Sequence, residues 1–138
     1  MNHKIIPNGN YKPAKKAGMF IQTAGMTPKV NGRLISTGKI PAVFAVDEYI
    51  PIVELAVKNA VSSAKKELTE SERIKGVFSM TVYINAAEDF TEHSKIADIA
   101  SDYLHSIFGD SGVGTRAAVG CSSLPGDAPV EIQITFII

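Results

Sequence analysis

The segment Gly114–Ile134, GTRAAVGCSSLPGDAPVEIQI, carries the signals that decide the C-terminal part of the fold. Small and apolar residues surround Arg116 in its first half and Glu131 in its second half, and a stretch containing Pro and Gly separates them. This pattern predicts two half-buried β-strands joined by a turn. The two charges are therefore expected on adjacent strands of a hairpin.

Arg116 and Glu131 need an explanation, because a charge on a strand that must pack is costly unless it is paired or binds a ligand. One interpretation is structural: the two side chains form an ion pair with each other or lie at solvated strand ends. The other is functional. Arginine presents a planar fork that suits a carboxylate, and a glutamate can orient water or move protons.

Two amphipathic helices are predicted before this segment. Apolar residues recur at helical spacing over 46–68, with Pro51 expected in the first turn. A second apolar stripe covers 96–108 and ends at Gly109. The candidate capping residues of the second helix are Asp89, Thr91 and Ser94.

Strands are predicted at 19–26, 77–84 and 130–138, and Asn31–Gly32 is typical of a tight hairpin turn. Two helices that each have one apolar stripe must cover one face of a mainly antiparallel sheet, which is an α+β architecture. The last strand also places Ile137 on the other face, and a partly apolar bare face favours self-association. With 138 residues, the chain is expected to form a single domain, 1–138.

The composition favours a protein that does not bind nucleic acid or membranes, because 14 basic residues balance 14 acidic ones. No signal peptide or spanning apolar run is evident, so a cytoplasmic location is expected. The single Cys121 is expected to be a small core residue. His3, His93 and His105 lack metal-ligand spacing, and Gly112–Thr115 lacks the lysine of a phosphate loop. We therefore expect no metal and no cofactor.

Several of these residues resemble a known family. Arg116 followed by Leu124-Pro125-x-Asp127-Ala128-x-Val130-Glu131-Ile132 is similar to the C-terminal signature of the Rid (YjgF/YER057c/UK114) family, also called the endoribonuclease L-PSP family. Other matching segments, in the family's order, are Tyr11 with Thr23-Ala24-Gly25-Met26-Thr27-Pro28, then Val82-Tyr83-Ile84 and Asp89-Phe90. The resemblance covers nearly the whole chain and is closest to a branch divergent from the archetypal enamine/imine deaminases.

The resemblance implies a chorismate-mutase-like (ferredoxin-like) α+β fold assembled as a homotrimer. In such a trimer the sheets face inward to form a barrel core, and three ligand clefts lie between subunits. The implied activity is that of a hydrolase acting on C–N bonds. Reactive enamines or imines such as 2-aminoacrylate would be converted to 2-keto acids and ammonia without a cofactor.

The resemblance also assigns roles to particular residues. Arg116 would bind the ligand carboxylate, and Glu131 would position the hydrolytic water. Tyr11 would line the cleft from the neighbouring subunit. Gly25 and the backbone near Ala118 would offer main-chain hydrogen bonds to the substrate.

Two positions depart from the pattern of the archetypal members. Ala24 and Met26 stand where those members often carry Ser and Gln, although Ala24 is still expected to line the cleft. Ser101 is the nearest counterpart of an asparagine on the second helix and is a further candidate for substrate binding.

These departures leave a second function open, a non-catalytic protein that binds or senses a small carboxylate metabolite. The family's older name suggests a third, an endoribonuclease or translation inhibitor. The zero net charge gives that third function no support.

Overall fold

The secondary structure is known for residues 5–138 from a computed structural model, and His3 lies outside the described residues. In chain order the elements are β1 (Ala14–Ala17), β2 (Phe20–Thr23), β3 (Lys29–Val30), β4 (Arg33–Leu34), α1 (Val46–Lys65), β5 (Gly76–Asn85), α2 (His93–Phe108), β6 (Thr115–Cys121) and β7 (Val130–Ile137). Short 3-10 turns occupy Gly109–Gly112, between α2 and β6, and Pro125–Asp127, between β6 and β7.

Strand β5 lies between β6 and β7, and this placement sets the topology of the main sheet. The strand order is β1-β2-β7-β5-β6, and β3 and β4 form a separate small hairpin. Strand β7 is antiparallel to β5, whereas β6 is parallel to it. Helix α2 provides the long crossover that a parallel pair of strands requires.

The predicted hairpin in the segment 114–134 is therefore wrong, although both of its strands exist. Each strand pairs with β5 instead of with the other, and the connection 122–129 passes the end of β5. Burial explains the arrangement, because alternate residues of β7 such as Ile132, Ile134 and Phe136 are fully buried. A strand with that pattern belongs inside the sheet, between β2 and β5, while the more exposed β6 takes the edge.

Both helices pack on one face of this mostly antiparallel sheet, which confirms the predicted α+β class. Ala56, Ala60 and Ala64 of α1 are fully buried, and their small side chains allow the helix to lie close to the sheet. Ile96 and Leu104 anchor α2 in the same core. Neither helix in the described part of the chain is long and apolar enough to cross a membrane.

Several local predictions are confirmed and others are corrected. Asn31 and Gly32 have φ values of 52° and 81°, which confirms the predicted turn between β3 and β4. Helix α1 begins at Val46, so Pro51 lies in its second turn instead of its first. Within the predicted strand 19–26, only the four residues of β2 form a regular strand. Strand β1 was not predicted.

The start of α2 and the place of the cysteine also differ from the predictions. The residue before α2 is Glu92, and its side chain makes no capping hydrogen bond, so none of the three predicted residues is the cap. Burial of Phe90, whose ring centroid lies 4.9 Å from that of His93, anchors the start of α2. Cys121 lies at the end of the edge strand and is only partly buried, so it is not a core residue.

The sheet face opposite the helices carries both polar and apolar side chains. Glu131 pairs with Tyr83 and Gln133 pairs with Thr81, and these residues are only partly buried. Phe20 and Phe78 lie on the same face, with ring centroids 5.2 Å apart and exposures of 37% and 53%. This is the partly apolar face that the sequence predicted, and its role in self-association stays a prediction.

Candidate functional site

Four of the residues predicted from the sequence lie around one open groove, which we call the Glu131 groove. It has a volume of about 540 Å³, and its lining includes Tyr11, Ala24, Gly25 and Glu131. Lys29 and Tyr83 also contribute to the lining. The groove is on the sheet face that the helices leave open, near the N-terminal end of β7.

Gly25 lies unusually close to the carboxyl group of Glu131. A Cβ atom on Gly25 would be 2.7 Å from Cδ of Glu131 and 2.9 Å from Oε1. The backbone is held there because Met26 and Ile132 exchange two hydrogen bonds, with N···O distances of 2.7 and 2.8 Å. A side chain at position 25 would collide with this carboxyl group, so only glycine fits here.

The environment of Glu131 changes its acidity. Burial raises the pKa of the Glu131 carboxyl above its ordinary value, and the positive charge of Lys29 opposes that rise. A carboxylate whose pKa is raised is a stronger base than an ordinary carboxylate. The groove therefore contains a group suited to proton transfer.

Tyr11 forms one wall of the Glu131 groove and remains 49% exposed. Its hydroxyl accepts a hydrogen bond from the backbone N–H of Asn8 at 3.0 Å, and its own N–H donates to the carbonyl of Gly9 at 3.1 Å. These bonds hold the phenol ring beside the groove. The side chain of Met26, by contrast, is buried in the core, with Sδ 3.9 Å from the Ser63 hydroxyl.

Arg116 lies in a second cluster, formed with two residues of α2. Its Nη1 atom donates to Oδ1 of Asp98 at 2.7 Å and to the hydroxyl oxygen of Ser101 at 3.1 Å. The side chain of Arg116 is 24% exposed, and that of Asp98 is 60% exposed. We call these three residues the Arg116 cluster. The structure thus brings Ser101 to Arg116, as a shared site requires.

Asp98 was not among the residues predicted to form the site. A weak signal for it exists in the sequence, because Asp98 and Ser101 are three positions apart and so share one face of a helix. Its contact with Arg116 joins an edge strand to a helix, and sequence spacing alone does not identify such a pair. Ala118, two residues after Arg116 on β6, packs against the core under the same helix face.

The two clusters lie on opposite faces of the sheet within one chain. Arg116 pairs with Met80, which is buried under the helices, whereas Glu131 pairs with Tyr83 on the open face. The two charges are also separated by β5, so the interpretation of a mutual ion pair on adjacent strands is wrong. One small ligand can therefore contact both side chains only if a second copy of the chain supplies one of them.

His93 and His105 are engaged in contacts that do not form a metal site. A Cβ on Gly120 would be 2.8 Å from Nε2 of His93, so this ring packs tightly against β6. His105 Nε2 lies 3.1 Å from Oδ1 of Asp110. Across residues 5–138, no group of three His, Cys, Asp or Glu side chains is placed to hold a metal ion.

Comparison with known proteins places this geometry in a family. The family model described as "YjgF/chorismate mutase-like, putative endoribonuclease" matches residues 3–131. Protein TCP17 of Trypanosoma cruzi is 33% identical over 128 residues, which cover 92% of this chain and 80% of TCP17.

Two solved structures share the fold over almost their full length. A "putative endoribonuclease" from Shewanella oneidensis is 28% identical with a TM-score of 0.88, and the match covers 97% of this chain and 89% of that one. A protein of unknown function from Agrobacterium tumefaciens is 27% identical with a TM-score of 0.85, over 94% and 83% of the two chains. The chain therefore belongs to the YjgF/chorismate mutase-like (L-PSP) family and has the fold of that family.

Proposed function

We propose that the protein hydrolyses enamines or imines of small 2-oxo acids at a site formed between subunits. In this proposal the Arg116 cluster of one subunit faces the Glu131 groove of its neighbour. The observation that carries the proposal is the position of Glu131, a half-buried carboxyl group with a raised pKa that lies against the backbone of Gly25.

Arg116 and Glu131 lie on opposite faces of the sheet, and this favours a site shared between two subunits over a site within one chain. Arg116 and Glu131 point away from each other across the sheet, so one small ligand reaches both only where two copies meet. The open face supplies the means of association, since Phe20 and Phe78 are large apolar residues that gain stability when covered. The homotrimer implied by the family resemblance is the assembly that we propose.

The chemistry needs few groups, because an imine carbon is already electrophilic. Arg116 binds the carboxylate of the substrate and fixes the position of the adjacent C=N bond. Glu131 accepts a proton from water while the water oxygen bonds to the imine carbon, and the C=N electron pair moves to nitrogen. Glu131 then protonates that nitrogen. The C–N bond then breaks as the hydroxyl proton passes through Glu131 to the departing nitrogen, which releases ammonia and a 2-keto acid.

The direct test measures keto-acid formation when the protein is added to a dehydratase that releases 2-aminoacrylate. The wild-type protein is expected to accelerate the reaction, and Arg116→Ala and Glu131→Gln are expected to remove the acceleration. Arg73→Ala and Glu70→Gln remove the same charges from exposed positions and should behave like the wild type. No acceleration by the wild-type protein would rule out the proposal.

A mixing experiment tests the shared site. Arg116→Ala and Glu131→Gln are each expected to be inactive, but a mixed oligomer would contain some sites with Arg116 from one subunit and Glu131 from another. Random mixing in a cyclic oligomer leaves about one quarter of the sites intact. Co-expression of the two variants should therefore restore about a quarter of the activity, and a complete lack of recovery would show that one chain supplies both residues.

A second candidate function is binding without catalysis. Ala24 carries no hydroxyl into the groove, and the side chain of Met26 is buried in the core, so neither residue offers a polar group to a ligand. If the protein only binds its ligand, pyruvate will raise the melting temperature of the wild-type protein and not that of Arg116→Ala, while no imine is turned over. The relatives described as endoribonucleases raise a third possibility, which RNA cleavage that survives Arg116→Ala would support.

A further inference from the structure

We infer that Asp98 makes the Arg116 cluster selective for ligands that carry a positively charged nitrogen next to their carboxylate. The inference rests on the proposed function, because it takes Arg116 to be the carboxylate-binding residue. It deepens that function by naming the ligand class, which is the zwitterionic 2-amino or 2-iminio acid in preference to the 2-keto acid.

The hydrogen bonds of Arg116 leave part of its guanidinium group available. Nη1 serves both Asp98 and Ser101, and within residues 5–138 no protein partner is found for Nη2 or Nε. These two nitrogens form one edge of the planar group, and a carboxylate binds such an edge with two parallel hydrogen bonds. A ligand carboxylate can therefore bind Arg116 without displacing Asp98.

The charge of the cluster then decides which carboxylates bind well. Arg116 and Asp98 form an ion pair with a distance of 2.7 Å between Nη1 and Oδ1, so their net charge is zero. A simple monoanion is attracted by the guanidinium but repelled by the carboxylate of Asp98. A zwitterion avoids this conflict, because its cationic nitrogen can lie beside Asp98 while its carboxylate lies beside Arg116.

The exposure of the two side chains fits this arrangement. The side chain of Arg116 is 24% exposed, whereas that of Asp98 is 60% exposed. Only Oδ1 of Asp98 accepts a hydrogen bond from Arg116. Within residues 5–138, Oδ2 of Asp98 has no hydrogen-bond partner. Asp98 is thus able to accept a hydrogen bond from a ligand N–H group while it remains paired with Arg116.

This selectivity would separate substrate from product. A protonated 2-imino acid has a cationic nitrogen on the carbon next to its carboxylate, and the 2-keto acid produced by hydrolysis has none. Both keep the carboxylate that Arg116 binds. Asp98 would therefore favour binding of the imino acid and weaken retention of the keto acid, which assists product release.

Binding of stable probes to the full-length protein tests the inference without requiring turnover. L-alanine represents the zwitterion and pyruvate the keto acid, and calorimetry gives the dissociation constant of each. Removing one partly exposed charge changes an affinity by about two- to five-fold. In Asp98→Asn the affinity for alanine should fall and that for pyruvate should rise. The ratio of the two dissociation constants should then shift by about four- to 25-fold.

Three further variants make the result specific to Asp98. Asp102→Asn removes the same charge from an exposed position on α2 and should leave the ratio unchanged. Asp98→Glu keeps the charge and should retain the preference for alanine, and Arg116→Ala should lose both ligands. Thermal denaturation checks that every variant is folded.

The possible outcomes separate the inference from the proposed function. Equal changes in both affinities in Asp98→Asn would show that Asp98 only positions Arg116, and this would overturn the inference. A shift of the ratio in the expected direction supports it, even if the wild-type protein fails to hydrolyse an imine. Failure of the wild-type protein to bind either probe would overturn both the inference and the role of Arg116.

Discussion

The substitution Gly25→Ala offers a sharp test of how the Glu131 groove works. A methyl group at this position would lie 2.7 Å from Cδ of Glu131 and 2.8 Å from Cγ. Ordinary van der Waals contact begins near 3.4 Å, so the carboxyl group must retreat by about 0.7 Å. The backbone of residue 25 is held by the neighbouring Met26–Ile132 pair, and therefore the side chain of Glu131 is the part that moves.

This movement should affect activity much more than stability. A misplacement of about 1 Å in a reacting group costs about 100-fold in rate, so a shift of about 0.7 Å predicts a loss of about 10- to 50-fold in kcat/KM. The atoms displaced belong to a flexible and partly exposed side chain. We therefore expect the free energy of unfolding to change by less than about 1 kcal/mol.

The assay is the imine hydrolysis described above, combined with urea unfolding of the same preparations. The double variant Gly25→Ala with Glu131→Asp provides a matched control, since the shorter acid relieves the contact with the added methyl group. If the two residues act through this contact, the double variant will lose less activity than the two single losses combined. A Gly25→Ala protein with wild-type activity, or one that is strongly destabilised, would refute the reasoning.

Two further predictions concern stability. The pKa of Glu131 is higher in the folded protein than in the unfolded chain. The contribution of this group to stability is therefore fully present below the unfolded pKa and is lost as the pH rises through the folded pKa. Glu131→Gln should therefore gain stability relative to the wild type as the pH rises above about 4, the ordinary pKa of a glutamate carboxyl, and a constant difference in urea titrations over that rise would contradict the cause given for the shift. Ala60 is fully buried between α1 and the sheet. Ala60→Leu should lower the free energy of unfolding by about 1–3 kcal/mol in the same measurement, and no loss would show that this part of the core has room for a larger side chain.

The elements of the fold that depend on local pattern were predictable from the sequence. The apolar stripes of α1 and α2, the β-branched run of β5 and the Asn31–Gly32 turn each occupy a short stretch of chain. Their signals are spacing and turn chemistry, which act between residues a few positions apart. The α+β class followed from the number of helices and from their single apolar faces.

The site was predictable only in part. Tyr11, Ala24, Gly25 and Glu131 were named from the sequence, and the structure places all four around one groove. Asp98 was missed, because it acquires a role only through its contact with Arg116 on another element. Local spacing indicated neither the contact nor the face of the sheet on which Arg116 lies.

The pairing of strands was decided by the tertiary structure alone. From the sequence, the strands on either side of the 122–129 connection were expected to form a hairpin, since adjacent segments with a turn between them usually do. In the folded chain β5 takes the place between them, because β7 has a fully buried face and is stabilised by neighbours on both edges. Strand pairing is a competition among distant segments for the same edge. The sequence therefore determined which residues form strands and helices, whereas only the three-dimensional packing placed Arg116 and Glu131 on opposite faces of the sheet.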